Sequence, residues 1–547
     1  MGIKIIVIVL YFSVVLIIGF IARTRWRSSP ESYFLADRSL GTAVLLGTMA
    51  ATNFSAFTVF GASGAGYRDG YAFFPIMGFG TGFMAISFWL IGRKIWSIGK
   101  KYGIITPPEM IRIVYRSPAL SFLFATVMIV FTLPYLALQP MAAGYALEEL
   151  LGLPYFYGCV LVTAVIAVYT LWGGMRSVAW TDLFQGVLMA AMLLVSLVLV
   201  LRHHGGFFTA NAKLIASFPE LFARPGGQGK YTLEVWFSFM MLWFFCDPMF
   251  PQLFQRFFSA KSERTISKMM LFYPLVCTVI FFMPIAVGVA GHLSFPGLEG
   301  KQADRILPMM IDLVAGDAVA ALVITCGIAA LMSTMDSQLL TLSSIFTLDI
   351  SPMLKGDPVR RPFAGRIFVI ALSILGLALA YRPPATILQI ATETFTGLAV
   401  LFPTVLFGLY LKKPKPLPAI LSIIAGETAV ILYYFQLLPA GGFLSAAPVI
   451  LLSFASYGLC HGACLLREGG FRMPKPAWMR NPHLYSMLVL FLLSMDFWAW
   501  DKTGPYLFGI PFWWIYFVLL SGLQTILMMR MIRSGTIERS QYPPGSF

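Results

Sequence analysis

Charge is scarce in this chain. Asp, Glu, Lys and Arg make up 12% of its 547 residues, about half of the roughly 25% usual in a soluble domain. Cysteine motifs are missing too. Cys159, Cys246, Cys277, Cys326, Cys460 and Cys464 all fall in apolar runs, with no CxxC, which implies reduced, buried side chains rather than disulfides or a zinc site. The five histidines are dispersed apart from His203-His204. There is no HExxH, no phosphate-binding P-loop and no nucleophile elbow, so an enzyme is not expected. Hydrophilic stretches of domain size are also lacking, and the work of this protein is expected inside a membrane.

What is present is hydrophobicity: 58% of residues are apolar and 15% aromatic. Apolar runs long enough to span occur about fifteen times by the ~20-residue criterion, from one near 4–22 to one near 508–529, among them runs near 155–172 and 364–381. The first run lacks a small-x-small cleavage site and is followed by Arg23, Arg25 and Arg27, so it reads as a membrane helix rather than a signal peptide. Placing the N-terminus outside and the C-terminus inside puts Arg93/Lys94/Lys100/Lys101, Lys261/Arg264/Lys268, Lys355/Arg360/Arg361, Lys412/Lys413/Lys415, Arg467/Arg472/Lys475 and Arg530/Arg533 in the cytoplasm, as the positive-inside rule asks. The net charge of +15 then belongs to membrane topology, and no nucleic-acid partner is expected.

Polar residues interrupt several of these runs. Ala329-Ala330-Leu331-Met332-Ser333-Thr334-Met335-Asp336-Ser337-Gln338 lies deep in the ninth. Helical spacing puts Ala330, Ser333, Thr334 and Ser337 on one face, where oxygens can serve a small hard cation or glue helices together. The second run carries Thr52, Asn53, Ser55 and Thr58, followed by Gly61, Gly64 and Gly66, a stretch able to unwind and free backbone groups or to pack closely against a neighbour. The seventh contains Trp243-Phe244-Phe245-Cys246-Asp247-Pro248, with Pro251 beyond. Two prolines predict a broken helix, and Asp247 at the break is a functional candidate by its depth. Asp182, just inside the cytoplasmic end of the sixth run, reads either as functional or as an interfacial partner of Arg176. Glu393 in the eleventh reads as a pocket carboxylate or a buried neutral acid, and Glu427 and Asp496 read as structural.

Together these segments resemble the sodium/solute symporter family, which includes sodium-coupled sugar, proline, sialic acid and monocarboxylate carriers. The resemblance rests on Ala51-Thr52-Asn53-Phe54-Ser55-Ala56 with Gly61 to Tyr67, on Trp172-Gly173-Gly174-Met175-Arg176 through Gln185, on Ala329 to Thr334 with Thr347-Leu348-Asp349-Ile350, and on Gln255-Arg256 with Ser259 to Ser262. It implies an all-α polytopic fold with a LeuT-type inverted five-plus-five helix repeat and peripheral helices. Residues 1–40 would form the peripheral first helix and a cytoplasmic loop, 41–201 the first repeat, 232–413 the second, and 414–547 four peripheral helices and a tail.

By the same resemblance, the main sodium site would use carbonyls of Ala51, Phe54 and Ala330 and hydroxyls of Ser333 and Thr334. A second sodium site, present in some members, would use Asp182 and Ser337, with Asp336 replacing a hydroxyl. Sugar-binding residues are not reproduced: Met77, Tyr135 and Glu393 stand at their positions. A pocket of Asn53, Phe57, Thr58, Phe73, Met77, Tyr135, Trp243, Asp247 and Glu393 suits a monocarboxylate or amino acid better than a sugar, whose hydroxyls need paired donors and acceptors. The implied function is a sodium-coupled symporter of a small organic solute, multi-pass in the cell (inner) membrane, with no oligomer required. Alternatives are a transporter-like sensor acting with a separate kinase, since no kinase sequence follows Arg533, and a proton-coupled carrier using Asp247, Asp336 or Glu393.

Overall fold

The computed structural model describes residues 2–22, 29–227, 229–353, 361–468, 482–507 and 510–533. Within them the chain is almost wholly helical, apart from one antiparallel ladder pairing Tyr506–Leu507 with Ile510–Pro511. Eleven helices are long and apolar enough to cross a membrane, or up to thirteen when each of two bent pairs counts as one span. The helices are α1 (Gly2–Ala22), α2 (Thr42–Asn53) bent onto α3 (Phe57–Ala72), α4 (Pro75–Tyr102), α5 (Pro118–Leu151), α6 (Tyr155–Leu171), α7 (Gly173–His203), α8 (Leu233–Met249) bent onto α9 (Pro251–Ser259), α10 (Glu263–Leu293), α11 (Asp317–Ile350), α12 (Ala364–Ala380), α13 (Ile387–Tyr410), α14 (Pro416–Tyr434), α15 (Ala446–Arg467), α16 (Pro482–Ala499) and α17 (Phe512–Arg533). Helices α6 and α12 fall where spans near 155–172 and 364–381 were expected but miss the length criterion, so reaching fifteen spans requires counting both. Of the basic clusters used for orientation, Arg23, Arg25, Arg27, Lys355, Arg360, Arg472 and Lys475 lie outside the described residues.

Both expected breaks are present. Helix α2 ends where Phe54 leaves helical geometry (φ −84°, ψ 83°), and α3 departs at 61°. Gln139 Oε1 accepts the Ala56 N–H at 3.1 Å, and Ser55 Oγ accepts the Phe57 N–H at 3.1 Å. The break therefore leaves these two donors satisfied at membrane depth. It lies ahead of Gly61, Gly64 and Gly66, not among them. A methyl group on Gly64 would strike Asp304, one on Gly66 would strike the backbone of Ile285, and one on Gly288 across the interface would strike the Ser63 carbonyl. These glycines let α3 and α10 approach backbone to backbone, which is the close-packing reading rather than the unwinding one.

The second break turns through Asp247–Met249, with Phe250 extended (φ −56°, ψ 124°) and a 54° bend into α9. Pro248 and Pro251 supply no N–H there, as proline placement predicts.

Helix α11 is the axis of the molecule. Every residue from Val323 to Ile345 is buried, and α1, α5 and α7 pack around it while α2 crosses it. The last helices stand at the edge, with α17 on α10 and α15 on α8. Their outward positions are apolar, as at Leu452, Leu459, Val518 and Leu519.

Candidate ion and solute sites

The hydroxyl face of α11 meets the end of α2. Ser333 Oγ lies 2.9 Å from both the Ala51 and Ala330 carbonyl oxygens. Thr334 Oγ1 lies 2.9 Å from the Thr52 carbonyl and 3.3 Å from that of Ala330. Phe54 is the residue at which α2 ends, and its ring packs on Phe281 and Tyr273. The donors gathered here are neutral oxygens, hydroxyl and carbonyl, within a fully buried setting. A hard monovalent cation fits such a set, while a thiophilic or imidazole-seeking metal would find nothing of its preference.

One turn further along α11 is a second polar centre of a different kind. Asp182 Oδ2 accepts from Thr48 Oγ1 at 2.5 Å, Thr52 Oγ1 at 3.2 Å and Arg256 Nη2 at 2.7 Å. The same Nη2 lies 2.7 Å from Ser337 Oγ, and Arg256 Nε reaches Thr48 Oγ1 at 3.0 Å. Asp336 accepts from Tyr169 OH at 2.8 Å and from Ser337 Oγ at 3.1 Å. Asp182, Asp336, Ser337 and Arg256 are all 0% exposed. The pairing of Asp182 with Arg176 is thus corrected: Arg176 is exposed, and the guanidinium that meets Asp182 comes from α9.

The third site is a cavity between the two breaks, with about 240 Å³ of empty space. Asn53, Phe57, Met77, Tyr135, Trp243 and Asp247 line it as expected, joined by Thr81, Phe250, Phe281 and Phe395. Asn53 Nδ2 donates to Asp247 Oδ2 at 3.2 Å and contacts Tyr273 OH at 2.6 Å. The rings form a continuous wall, with centroids 4.7 Å apart for Phe250–Phe395, 4.8 Å for Tyr135–Phe395 and 5.7 Å for Phe57–Trp243.

Three expected pocket residues stand elsewhere. Phe73 lies one ring behind the wall, edge-on to Phe57 and stacked on Tyr231. Thr58 is buried without lining the cavity. Glu393 is exposed, and Phe395 faces the cavity instead. Residues two apart on a helix point to nearly opposite sides, so a carboxylate at 393 and a ring at 395 cannot share the pocket. Phe395 and Phe250 were readable only from the face each helix presents. Arg256 was visible in the Gln255-Arg256 motif, but no local signal ties it to Asp182.

One end of α3 is closed by a loop network. Arg68 Nη1 donates to Asp304 Oδ1 at 3.0 Å, and the Ile387 N–H donates to Asp304 Oδ2 at 3.1 Å. Burial pushes the Asp304 carboxyl above the usual carboxylate range, against the opposing pull of Arg68.

The model of the sodium:solute symporter family matches residues 33–426. The chain belongs to the sodium:solute symporter family. Membership makes sodium the coupling ion and gives this symporter a small solute and a multi-pass membrane setting. The sodium/proline symporters of Staphylococcus aureus strains RF122 / ET3-1 and NCTC 8325 / PS 47 are each 27% identical to it over 449 residues, spanning 79% of this chain and 86% of theirs. A substrate-bound, outward-open Na+-coupled sialic acid symporter superposes with TM-score 0.68 at 18% identity, covering 84% of this chain and 98% of that one. The nucleobase-cation-symport-1 family transporter Mhp1, closed on bromovinylhydantoin, gives 0.57 at 13% identity over 79% and 94%. At these identities the structural matches establish the LeuT-like fold and nothing finer.

Proposed function

We propose that this symporter carries a monocarboxylate or amino acid rather than a sugar, with one sodium held by Ala51, Phe54, Ala330, Ser333 and Thr334 and the solute in the cavity at Asp247. The reading places α2–α7 in the first repeat and α8–α13 in the second, in fifteen spans of the cell membrane, N-terminus out. The observation that carries it is the position of the α2 break. Ala51 and Thr52 give their carbonyls to the hydroxyls of α11, and the next residue, Asn53, gives its amide to Asp247. Ion and solute thus bind to consecutive residues of one helix end. A cation that orders this end also sets Asn53 for the solute, which is a differential interaction able to shift the outward–inward equilibrium. The membrane potential adds about 2.3 kcal/mol per charge per 100 mV.

At the second polar centre the positive charge is supplied by Arg256, which supports a structural role for Asp182 and Asp336 and one sodium per cycle. A sodium Hill coefficient above one that drops in Asp182→Asn would restore a second ion there. For the main site, sodium and not potassium is expected to stabilise the purified protein, by about 2.7 kcal/mol at a hundredfold excess over the dissociation constant. Ser333→Ala and Thr334→Ala should each remove most of that shift while the protein remains folded. Equal shifts for both cations in the wild type would refute the site.

A further inference from the structure

We infer that the cavity selects a solute bearing an ammonium group, with Asp247 as its counter-ion; this rests on the reading of the cavity as the solute site. Asp247 is 2% exposed and faces the cavity from the α8–α9 break. Its polar contacts are the Asn53 amide at 3.2 Å and Cys246 Sγ at 3.8 Å. Among the described residues it forms no ion pair, and the cavity wall contains no Lys, Arg or His. A carboxylate held this deep is costly unless a positive charge meets it. Asp182 has its guanidinium; Asp247 has only two neutral donors, an amide and a thiol.

The surroundings name the missing charge. Phe57, Tyr135, Trp243, Phe250 and Phe395 present ring surface around the space beside Asp247. Aromatic faces attract a cation, most strongly when it is desolvated, and rings around a carboxylate are how alkylammonium groups are held. Thr81 Oγ1 and Trp243 Nε1 are donors without a partner in the lining, but a bare monocarboxylate would be placed near a like charge with no basic group to offset it. A sugar would lack partners for most of its hydroxyls. Of the two solute classes left open above, the amino acid carries the ammonium and the monocarboxylate does not; simple amines and quaternary ammonium compounds carry it as well.

The test uses the full chain in detergent, with thermal unfolding measured at fixed sodium in the presence of L-proline, choline, glycine betaine or propionate. At least one of the three ammonium compounds should raise the melting temperature in the wild type, and propionate should not. Asp247→Asn keeps the shape and the hydrogen bond to Asn53 but removes the charge. It should lower the affinity for that compound by about tenfold or more, equivalent to about 1.4 kcal/mol, with the sodium-induced shift intact. Phe395→Leu, which removes a ring without touching Asp247, should weaken the same compound by a smaller factor. Stabilisation by propionate alone, by none of the four probes, or equally in wild type and Asp247→Asn overturns the ammonium assignment. In each of those cases a sodium shift that persists leaves the symport reading standing, whereas its absence in the wild type counts against the sodium site instead.

Discussion

Two buried aspartates, Asp182 and Asp247, bond to adjacent residues at the end of α2, Thr52 and Asn53, and live in opposite surroundings. Asp182 is met by a guanidinium and two hydroxyls. Asp247 is met by one amide, one thiol and a wall of rings. Both are equally withdrawn from solvent, so depth alone does not distinguish a structural carboxylate from a binding one. The counter-charge does: where the protein supplies it, the pair locks helices together, and where it is left out, the site is completed from outside. Removing the counter-charge from the first centre, or the charge from the second, breaks this comparison in opposite ways.

The largest effect is expected at Arg256. Arg256→Ala would leave Asp182 and Asp336 buried together with no basic partner, a change that typically costs 3–5 kcal/mol. Thermal unfolding of the purified protein should fall accordingly. Removing both ends, in Asp182→Asn with Arg256→Gln, should recover a large part of that loss, because the cost lies in the orphaned charge more than in the lost pair. A double variant as unstable as Arg256→Ala alone would mean that packing around the guanidinium, not its charge, is what holds α2, α7 and α9. Asp247→Asn gives the contrast: no comparable loss of stability is expected, since no cation is orphaned.

Next in size is the packing that carries both centres. Gly288→Ala puts a methyl group onto the Ser63 carbonyl where α10 meets α3. Overpacking of this kind costs about 1–3 kcal/mol, and the contact is backbone to backbone, so no side chain can swing aside. Lower thermal stability should accompany slower transport, because α3 is one half of the broken helix. Wild-type stability in Gly288→Ala would show that α3 and α10 can separate at little cost.

Much of this arrangement was legible before the structure. Pro248 and Pro251 just after Asp247 marked the second break, since missing N–H groups are a local property; the glycine-containing second run predicted unwinding too, although α2 ends at Phe54, ahead of its glycines. The face of Ala330, Ser333, Thr334 and Ser337 followed from helical period. What the sequence did not disclose depends on what stands opposite. Arg256 is 74 residues from Asp182 along the chain, while Arg176 was nearer and drew the pairing. Gly61, Gly64 and Gly66 allow either unwinding or close approach, and only Ile285 and Asp304 across the gap decide it.

The smallest effect sharpens the comparison at the pocket. Glu393 and Phe395 lie two residues apart on α13, and only one of them faces the cavity. The resemblance to sugar carriers favoured Glu393; the geometry favours Phe395, whose ring meets those of Phe57, Tyr135, Trp243 and Phe250. Glu393→Gln changes an exposed carboxylate away from the wall, and such substitutions usually stay within ±0.5 kcal/mol. Uptake into proteoliposomes should therefore keep its solute affinity and its pH profile. Phe395→Leu should shift the affinity without changing the sodium dependence. If Glu393→Gln weakened solute binding, α13 would have to rotate by about half a turn during transport, bringing residue 393 to the cavity in a state other than this one. A second carboxylate would then join Asp247 at the solute, and the ammonium would be shared between two acids rather than held by one.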